Sequence, residues 1–433
     1  MSMSKKMDSA KPEYKDIWAA VVFILQFLTF FAVAMYYVSQ YIEHKRDYDG
    51  FQKNPADIIW KFFVSLAIAV FTTVLFFVSI LYATKITVYT CLILPIVCCI
   101  ALGIFGLIQG NVMGGIINIF LALLFGLVTY LLRDRIKFAI VMIRAVCKVI
   151  NSYRGIYWLI PGFITFSFGV AMLLVYAFIG ADLKASSQHE SINGGLVIFL
   201  LFSFFWTNQV LKNIVSVTVS GVVATFYFVE GSGQAVKDPT VKSLRRALTY
   251  SFGSICFGSL LVAIFKTLRS MLGSSSKPTS LCSICCICIL KILESAIQYF
   301  NGYAFAQIAI YGKSYMEAAR DTWKLAKSRG VDAILNDLIV DRVFYIASTF
   351  LALACGFIAF FISIENFDLY EVVLVVIFAI VSSLFLMDIT SEMISGGVIT
   401  LFVCIAENSE VLRATKPKLY QKIAAVYPQV TGV

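Results

Sequence analysis

The sequence predicts an all-α, polytopic membrane protein, and three observations carry that prediction. Hydrophobic residues make up 60% of the 433 positions and charged residues only 14%, an apolar load that no water-soluble fold of this length could bury. The apolar residues fall in long unbroken runs. The clearest, 17–42, holds 26 residues without one charge, and about 20 suffice to cross the hydrocarbon core as a helix. The alternating ten-residue segments of a barrel are absent. A bilayer admits only helices or closed barrels, because every backbone N–H and C=O must be satisfied internally.

About ten spans follow in order: 16–42, 58–83, 86–108, 112–132, 155–181, 194–230, 247–272, 281–311, 335–363 and 369–405. They form one transmembrane domain, 16–405, between a polar tail, 1–15, and a second tail, 406–433. The first tail carries Lys5, Lys6, Lys11 and Lys15 and reads as the cytosolic side of a signal anchor. The apolar run after it is too long for a cleaved signal peptide. With both termini cytosolic, the inner segments hold about two-thirds of the 35 Lys and Arg residues, as the positive-inside rule requires. Residues 266–280 run against this bias, placing Lys266, Arg269 and Lys277 outside. The net charge of +10 is therefore a topology signal with affinity for anionic cytosolic lipid. No nucleic-acid partner is expected.

Between the fourth and fifth spans, Arg133, Lys137, Arg144 and Lys148 share one helical face, with Phe138, Val141, Met142, Val146 and Val149 around them. This pattern over 133–154 predicts a basic amphipathic helix on the cytosolic leaflet. A second such helix is expected over 314–329, with Tyr315, Ala319, Trp323 and Ala326 on one side and the pairs Glu317–Arg320 and Asp321–Lys324 on the other. Pro95 should kink the third span. The sixth segment exceeds one crossing. Its polar stretch, with Trp206, Thr207, Asn208, Gln209, Lys212 and Asn213, implies either a helix broken at depth or one running into the cytosol. Either way these residues border an interior cavity or its mouth.

Catalysis is not expected, nor a cofactor or metal. The two histidines, His44 and His189, fall in outer loops, and no phosphate-binding glycine loop or nucleophile elbow is present. Cys282, Cys285, Cys286 and Cys288 crowd one membrane boundary; packing, lipidation and disulfide formation are the open readings. The informative residues are intramembrane acids: Glu294, and Asp388 with Glu392 one turn later, while Asp337, Asp341 and Arg342 sit near the start of the ninth span. These deeper acids are the candidate proton or cation handles. Tyr299 and Tyr303 lie near Glu294, with Trp206 and Tyr250 on other spans. A carboxylate beside aromatic faces holds quaternary ammonium ions, although Lys291, one turn before Glu294, could pair with it instead.

The stretch from Ser243 through Arg245, Arg246 and Tyr250, the run from Gly253 to Leu260, the Cys282–Cys288 cluster, and the run from Asn301 to Lys313 resemble the hallmarks of the choline transporter-like family. The short loop after the first span is similar to its compact fungal branch, the pH-nine-sensitive proteins. Membership implies ten spans with cytosolic termini and carriage of choline, in some members ethanolamine, with proton exchange, across plasma or organelle membranes. Two positions depart from the animal pattern: Asn408 stands where a second acid is usual, and Ile399 where many members have Asp. The expected function is thus a transporter or facilitator for a small organic cation, choline first. Trp206, Asn208, Gln209, Tyr250, Tyr303 and Glu294 are its expected substrate-binding residues; Glu294, Asp388 and Glu392 would couple protons. The alternative is a non-transporting scaffold or lipid-organising protein.

Overall fold

The computed structural model describes residues 13–44, 55–188, 192–229, 237–273, 281–329, 331–363 and 369–426. Among these the chain is helical, with no strand. Fourteen helices follow in order: α1 Ile17–His44, α2 Pro55–Ile108, α3 Val112–Leu131, α4 Arg133–Ser152, α5 Gly155–Ser187, α6 Gly194–Phe228, α7 Pro239–Leu248, α8 Phe252–Gly273, α9 Leu281–Tyr311, α10 Tyr315–Arg329, α11 Val331–Ser363, α12 Leu369–Glu407, α13 Ser409–Thr415 and α14 Pro417–Val426.

Among the described residues, eight helices are long and apolar enough to cross a membrane. One of them, Trp60–Ile108, has 49 residues and would extend roughly 70 Å, over twice the bilayer core. It joins the expected second and third spans, and its helical geometry breaks at Ala83 (φ −123°, ψ 35°). The break thus falls between the two expected spans and not at Pro95, whose backbone stays helical. The expected span 281–311 forms as α9 over the same residues. The expected span 247–272 starts later. The chain turns at Thr249 (φ −119°, ψ −85°) between α7 and α8.

The chain groups into two compact units, residues 1–53 with 153–325 and residues 54–152 with 326–433. In unit 1, α1 lies along α5, and α6 packs on α7, α8 and α9. Gly180 makes the first pairing possible: a Cβ there would collide with the backbone carbonyl of Tyr37. Small residues at such crossings let two backbones approach, which is how helices associate where hydrophobicity offers no drive. The unit has two apolar clusters. One holds Phe23, Trp206, Val210, Ile255, Phe305 and Tyr315, the other Phe30, Val170, Leu174 and Leu200.

In unit 2, α11 packs on α12, α2 on α3, and α4 against α2, α11, α12 and α14. This corrects the expectation that α4 lies on lipid. Its broad apolar face (Ile136, Phe138, Met142, Ile143, Val146, Val149) is buried by protein, while Arg133, Lys137, Arg144 and Lys148 form the exposed stripe. The sixth segment, α6, is one helix over 35 residues, so the broken-helix alternative falls. Helix α10 buries Tyr315, Ala318 and Thr322 and turns Trp323 outward at 67% exposure, one position away from the expected stripe. Glu317 accepts a hydrogen bond from the Ser314 backbone N–H (3.2 Å), half of a capping box.

Candidate functional site

Successive helical residues point about 100° apart, so the polar stretch of α6 is shared among different neighbours. Trp206 is 2% exposed. Its indole N–H donates to the Cys256 carbonyl on α8 (3.1 Å), and its ring meets Phe23 edge-on (5.3 Å) and Phe202 at a tilt (5.5 Å). Such edge and tilted geometries are the favoured aromatic pairings, and they make Trp206 a packed wall residue. Asn208 faces α5, accepting from the Ser167 hydroxyl and donating to its own helix at the Phe204 carbonyl (3.0 Å).

Gln209 faces α8. Its carbonyl accepts from the Lys266 ammonium (3.1 Å), its amide N–H donates to Asn213 Oδ1 (3.3 Å), and Asn213 Nδ2 donates to Ser259 Oγ (2.8 Å). The result is a polar seam of four side chains joining α6 to α8, with a cation at one end. Groups of this kind persist away from water only when they satisfy one another.

Glu294 on α9 is buried, and its counter-ion is Arg269 of α8. The guanidinium donates from Nε to Oε2 (2.8 Å) and from a terminal nitrogen to Oε1 (3.5 Å), a two-pronged pairing that suits its planar fork. Lys291, the alternative partner weighed from the sequence, is exposed. Lys266 and Arg269 therefore resolve the anomaly of the supposed outer loop. Both belong to α8, and both turn their charge onto buried polar groups.

One helical turn beyond Tyr299, Tyr303 is 6% exposed and accepts from the Tyr299 hydroxyl (3.0 Å). Asn301 donates to the Gly258 carbonyl (2.8 Å) and accepts from the Tyr315 hydroxyl (2.5 Å). Burial pushes that phenol up to about 12, so it stays protonated and keeps donating. Gly258 leaves the room: a Cβ there would lie 2.7 Å from both the Phe305 and Tyr315 rings.

Helix α8 is thus the common partner. It meets Trp206 through Cys256, Asn213 through Ser259, Gln209 through Lys266, Glu294 through Arg269 and Asn301 through Gly258. Tyr250 stands apart from this set, in the α7–α8 turn. Its ring packs on Tyr14 (4.9 Å), and its carbonyl accepts from the Lys15 backbone (3.2 Å). In unit 2, Asp388 is exposed, Glu392 is half-buried, and Asp341 accepts from the Ser395 hydroxyl. Cys285, Cys286 and Cys288 are exposed. The side chains of Cys282, Asp337 and His44 lie outside the described residues, as does His189.

Sequence reasoning missed Ser259, Lys266 and Arg269. The signal was available: Lys266 and Arg269 already fell within the expected span 247–272, and cations inside an apolar helix call for buried polar partners.

Comparison with known proteins converges on one family. Residues 116–410 match the family described as plasma-membrane choline transporter. Relatives named Protein PNS1 are 30% identical in Gibberella zeae, covering 100% of this chain and 86% of the relative, and 29% identical in Mycosarcoma maydis, covering 97% and 84%. In Debaryomyces hansenii the identity is 28%, over 97% of this chain and 88% of the relative. The family is one of membrane transporters, and the resemblance read from the hallmark stretches holds. The chain belongs to the choline transporter-like family, alongside fungal relatives.

Proposed function

We propose that the protein carries a small organic cation, choline first and ethanolamine second, along a path through unit 1. The observation that supports this most is the polar seam from Lys266 through Gln209 and Asn213 to Ser259, beside the Arg269–Glu294 pair. A purely structural bundle has no need of a carboxylate, an ammonium and two carboxamides around one helix, α8.

A quaternary ammonium has no strong donor, so aromatic faces and nearby negative charge must recognise it. Trp206 and Tyr303 supply the aromatic surface in this reading, Asn208 and Gln209 the polar lining, and Tyr250 a position at the α7–α8 turn. Glu294 supplies the charge, but Arg269 neutralises it. The cation therefore has to take the place of the guanidinium, which makes the pair a two-state element. Glu294, Asp388 and Glu392 are the proposed proton carriers, and the cell membrane the proposed location, with an organelle membrane second.

Uptake of radiolabelled choline into liposomes holding the purified protein tests the reading. Wild type should concentrate or equilibrate choline, and Glu294→Gln should lose uptake by more than it loses folded protein. Failure of the wild type to move choline or ethanolamine would replace this reading with the second one, a scaffold or lipid-organising protein. The exposed stripe of Arg133, Lys137, Arg144 and Lys148 on α4 favours that alternative through attraction to anionic lipid.

A further inference from the structure

Besides Thr322 on α10, three side chains of unit 1 hold buried polar atoms that have no hydrogen-bond partner and take no part in the seam. Both side-chain atoms of the Gln26 amide on α1 are shielded from solvent and have no hydrogen-bond partner, and the same holds for the Ser203 and Thr207 hydroxyls on α6. Ser203 is 0% and Thr207 1% exposed. Their isolation is unusual on a helix, where a Ser or Thr hydroxyl ordinarily donates to the carbonyl four residues back, as Thr218 does on this same helix (2.7 Å to the Ile214 carbonyl). A buried amide or hydroxyl left unpaired is expensive, so these atoms need an account.

Their depth can be fixed from their neighbours. Phe23 of α1 meets Trp206 of α6, and Phe30 shares a cluster with Leu200. Gln26 lies between Phe23 and Phe30, and Ser203 lies between Leu200 and Trp206, so the two occupy one layer. Thr207 is one turn from Ser203 on the same face. That layer is where the two apolar clusters of the unit part. Aromatic rings bound it: Phe23, Phe27 and Trp206, with Phe166 beside Phe27 (6.2 Å).

We infer that Gln26, Ser203 and Thr207 form a hydroxyl-reading subsite, which binds the alcohol of a hydroxylated quaternary ammonium while the surrounding rings hold its methylated head. The inference rests on the cation reading above and adds the part that reading lacks. Aromatic faces recognise the ammonium but cannot tell choline from an analogue without its hydroxyl. An alcohol carries one O–H donor and two acceptor lone pairs. Gln26 offers both functions, and the two α6 hydroxyls can rotate to complete the set. A site built to hydrogen-bond a hydroxyl rejects the analogue that lacks it, because its own polar groups are then left unpaired.

The test compares choline with ethyltrimethylammonium, its deoxy counterpart, by competition binding to the purified full-length protein. Wild type should prefer choline by about 10-fold, the scale of one or two net hydrogen bonds. In Gln26→Leu, and in Ser203→Ala with Thr207→Val, choline affinity should fall to within about two-fold of the deoxy compound. Thermal melting without ligand gives a second readout. Removing unpartnered polar groups should leave both variants melting at or above wild type, and choline should raise their melting temperature less than it raises that of wild type. If wild type binds neither compound, the cation reading falls and this inference with it. If wild type binds choline but does not discriminate, or if the variants keep the discrimination or melt well below wild type, the subsite alone is overturned.

Discussion

Units 1 and 2 both pack long apolar helices, yet they bury different polar groups. Among the described residues, the buried carboxamides Gln209, Asn213, Asn301 and Gln307 and the buried carboxylate Glu294 all belong to unit 1; the buried polar residues of unit 2 are Ser and Thr, with Lys61. A threonine hydroxyl finds an acceptor on its own helix, as Thr73, Thr84, Thr390 and Thr400 do at the carbonyl four residues back (2.8–2.9 Å). It therefore demands nothing of a neighbouring helix. A carboxamide has two donors and an acceptor, more than one helical carbonyl can satisfy, so it must reach across to another helix or to a solute. Among the described residues, the buried carboxamides and carboxylate, which must reach across to another helix, are concentrated in unit 1, while unit 2 buries Lys61 and the Ser363 and Ser383 hydroxyls.

The largest test of this contrast is Glu294→Leu. It leaves the Arg269 guanidinium without its counter-ion, a change worth about 3–5 kcal/mol for a fully buried pair. The Arg269 side chain is 38% exposed, so water screens part of the loss and roughly 2 kcal/mol is expected. Pairing it with Arg269→Met should restore most of the stability, since a buried ion pair can be replaced by apolar side chains at little cost. Thermal melting in detergent reads both. Equal melting of the single and double variants would remove the pair from the list of things that hold α8 to α9.

A matched pair of substitutions sharpens the same point at smaller scale. Asn301→Leu in unit 1 strips the Gly258 carbonyl and the Tyr315 hydroxyl of their partner and should cost about 1–2 kcal/mol. Thr390→Val in unit 2 removes a bond within one helix (2.9 Å to the Leu386 carbonyl) and should change stability by less than about 0.5 kcal/mol. Comparable losses from the two would mean that the polar groups of the units are equivalent after all.

The fold was legible wherever apolar length decided it. The runs from Ile17, Gly155, Gly194 and Leu369 became helices within a few residues of the expected bounds. Boundaries failed where local chemistry competes with hydropathy. The α7–α8 turn at Thr249 sits inside an expected span, 247–272, that hydropathy alone runs straight through. The polar residues of α6 were visible as a group, but their division among neighbours was not, because it follows from which helix lies against each face. The breadth of the apolar face of α4 was read correctly and its partner wrongly, since a hydrophobic stripe does not say whether lipid or protein covers it. Thr207 was visible only as one of the polar residues of α6, and Gln26 and Ser203 carried no signal: an amide or hydroxyl in an apolar run looks the same whether or not it is partnered.

The smallest effect lies at the edge of unit 1, where α9 gives way to α10. Gly312 takes a left-handed conformation (φ 66°), which ends α9 as a glycine commonly does and aims Lys313 at α10. The Lys313 ammonium donates to Asp321 (2.8 Å) and lies 4.4 Å from the Tyr311 ring centroid. Chiefly through its hydrogen bond with Lys313, with Lys324 adding to it (3.1 Å), the Asp321 carboxyl is held below the usual carboxylate range. A depressed acid stabilises the fold at pH values above its unfolded pKa, near 3.9. That stability disappears as pH falls through the lower folded value. Both partners are partly exposed, so the pair is worth a fraction of a kcal/mol, on the order of other surface ion pairs. Asp321→Asn should therefore melt slightly below wild type at pH 7, with a gap that stays constant down to about pH 5 and closes below about pH 4. A gap that persists into acid would show that Asp321 acts through hydrogen bonding its neutral form can also make, and not through the Lys313 charge.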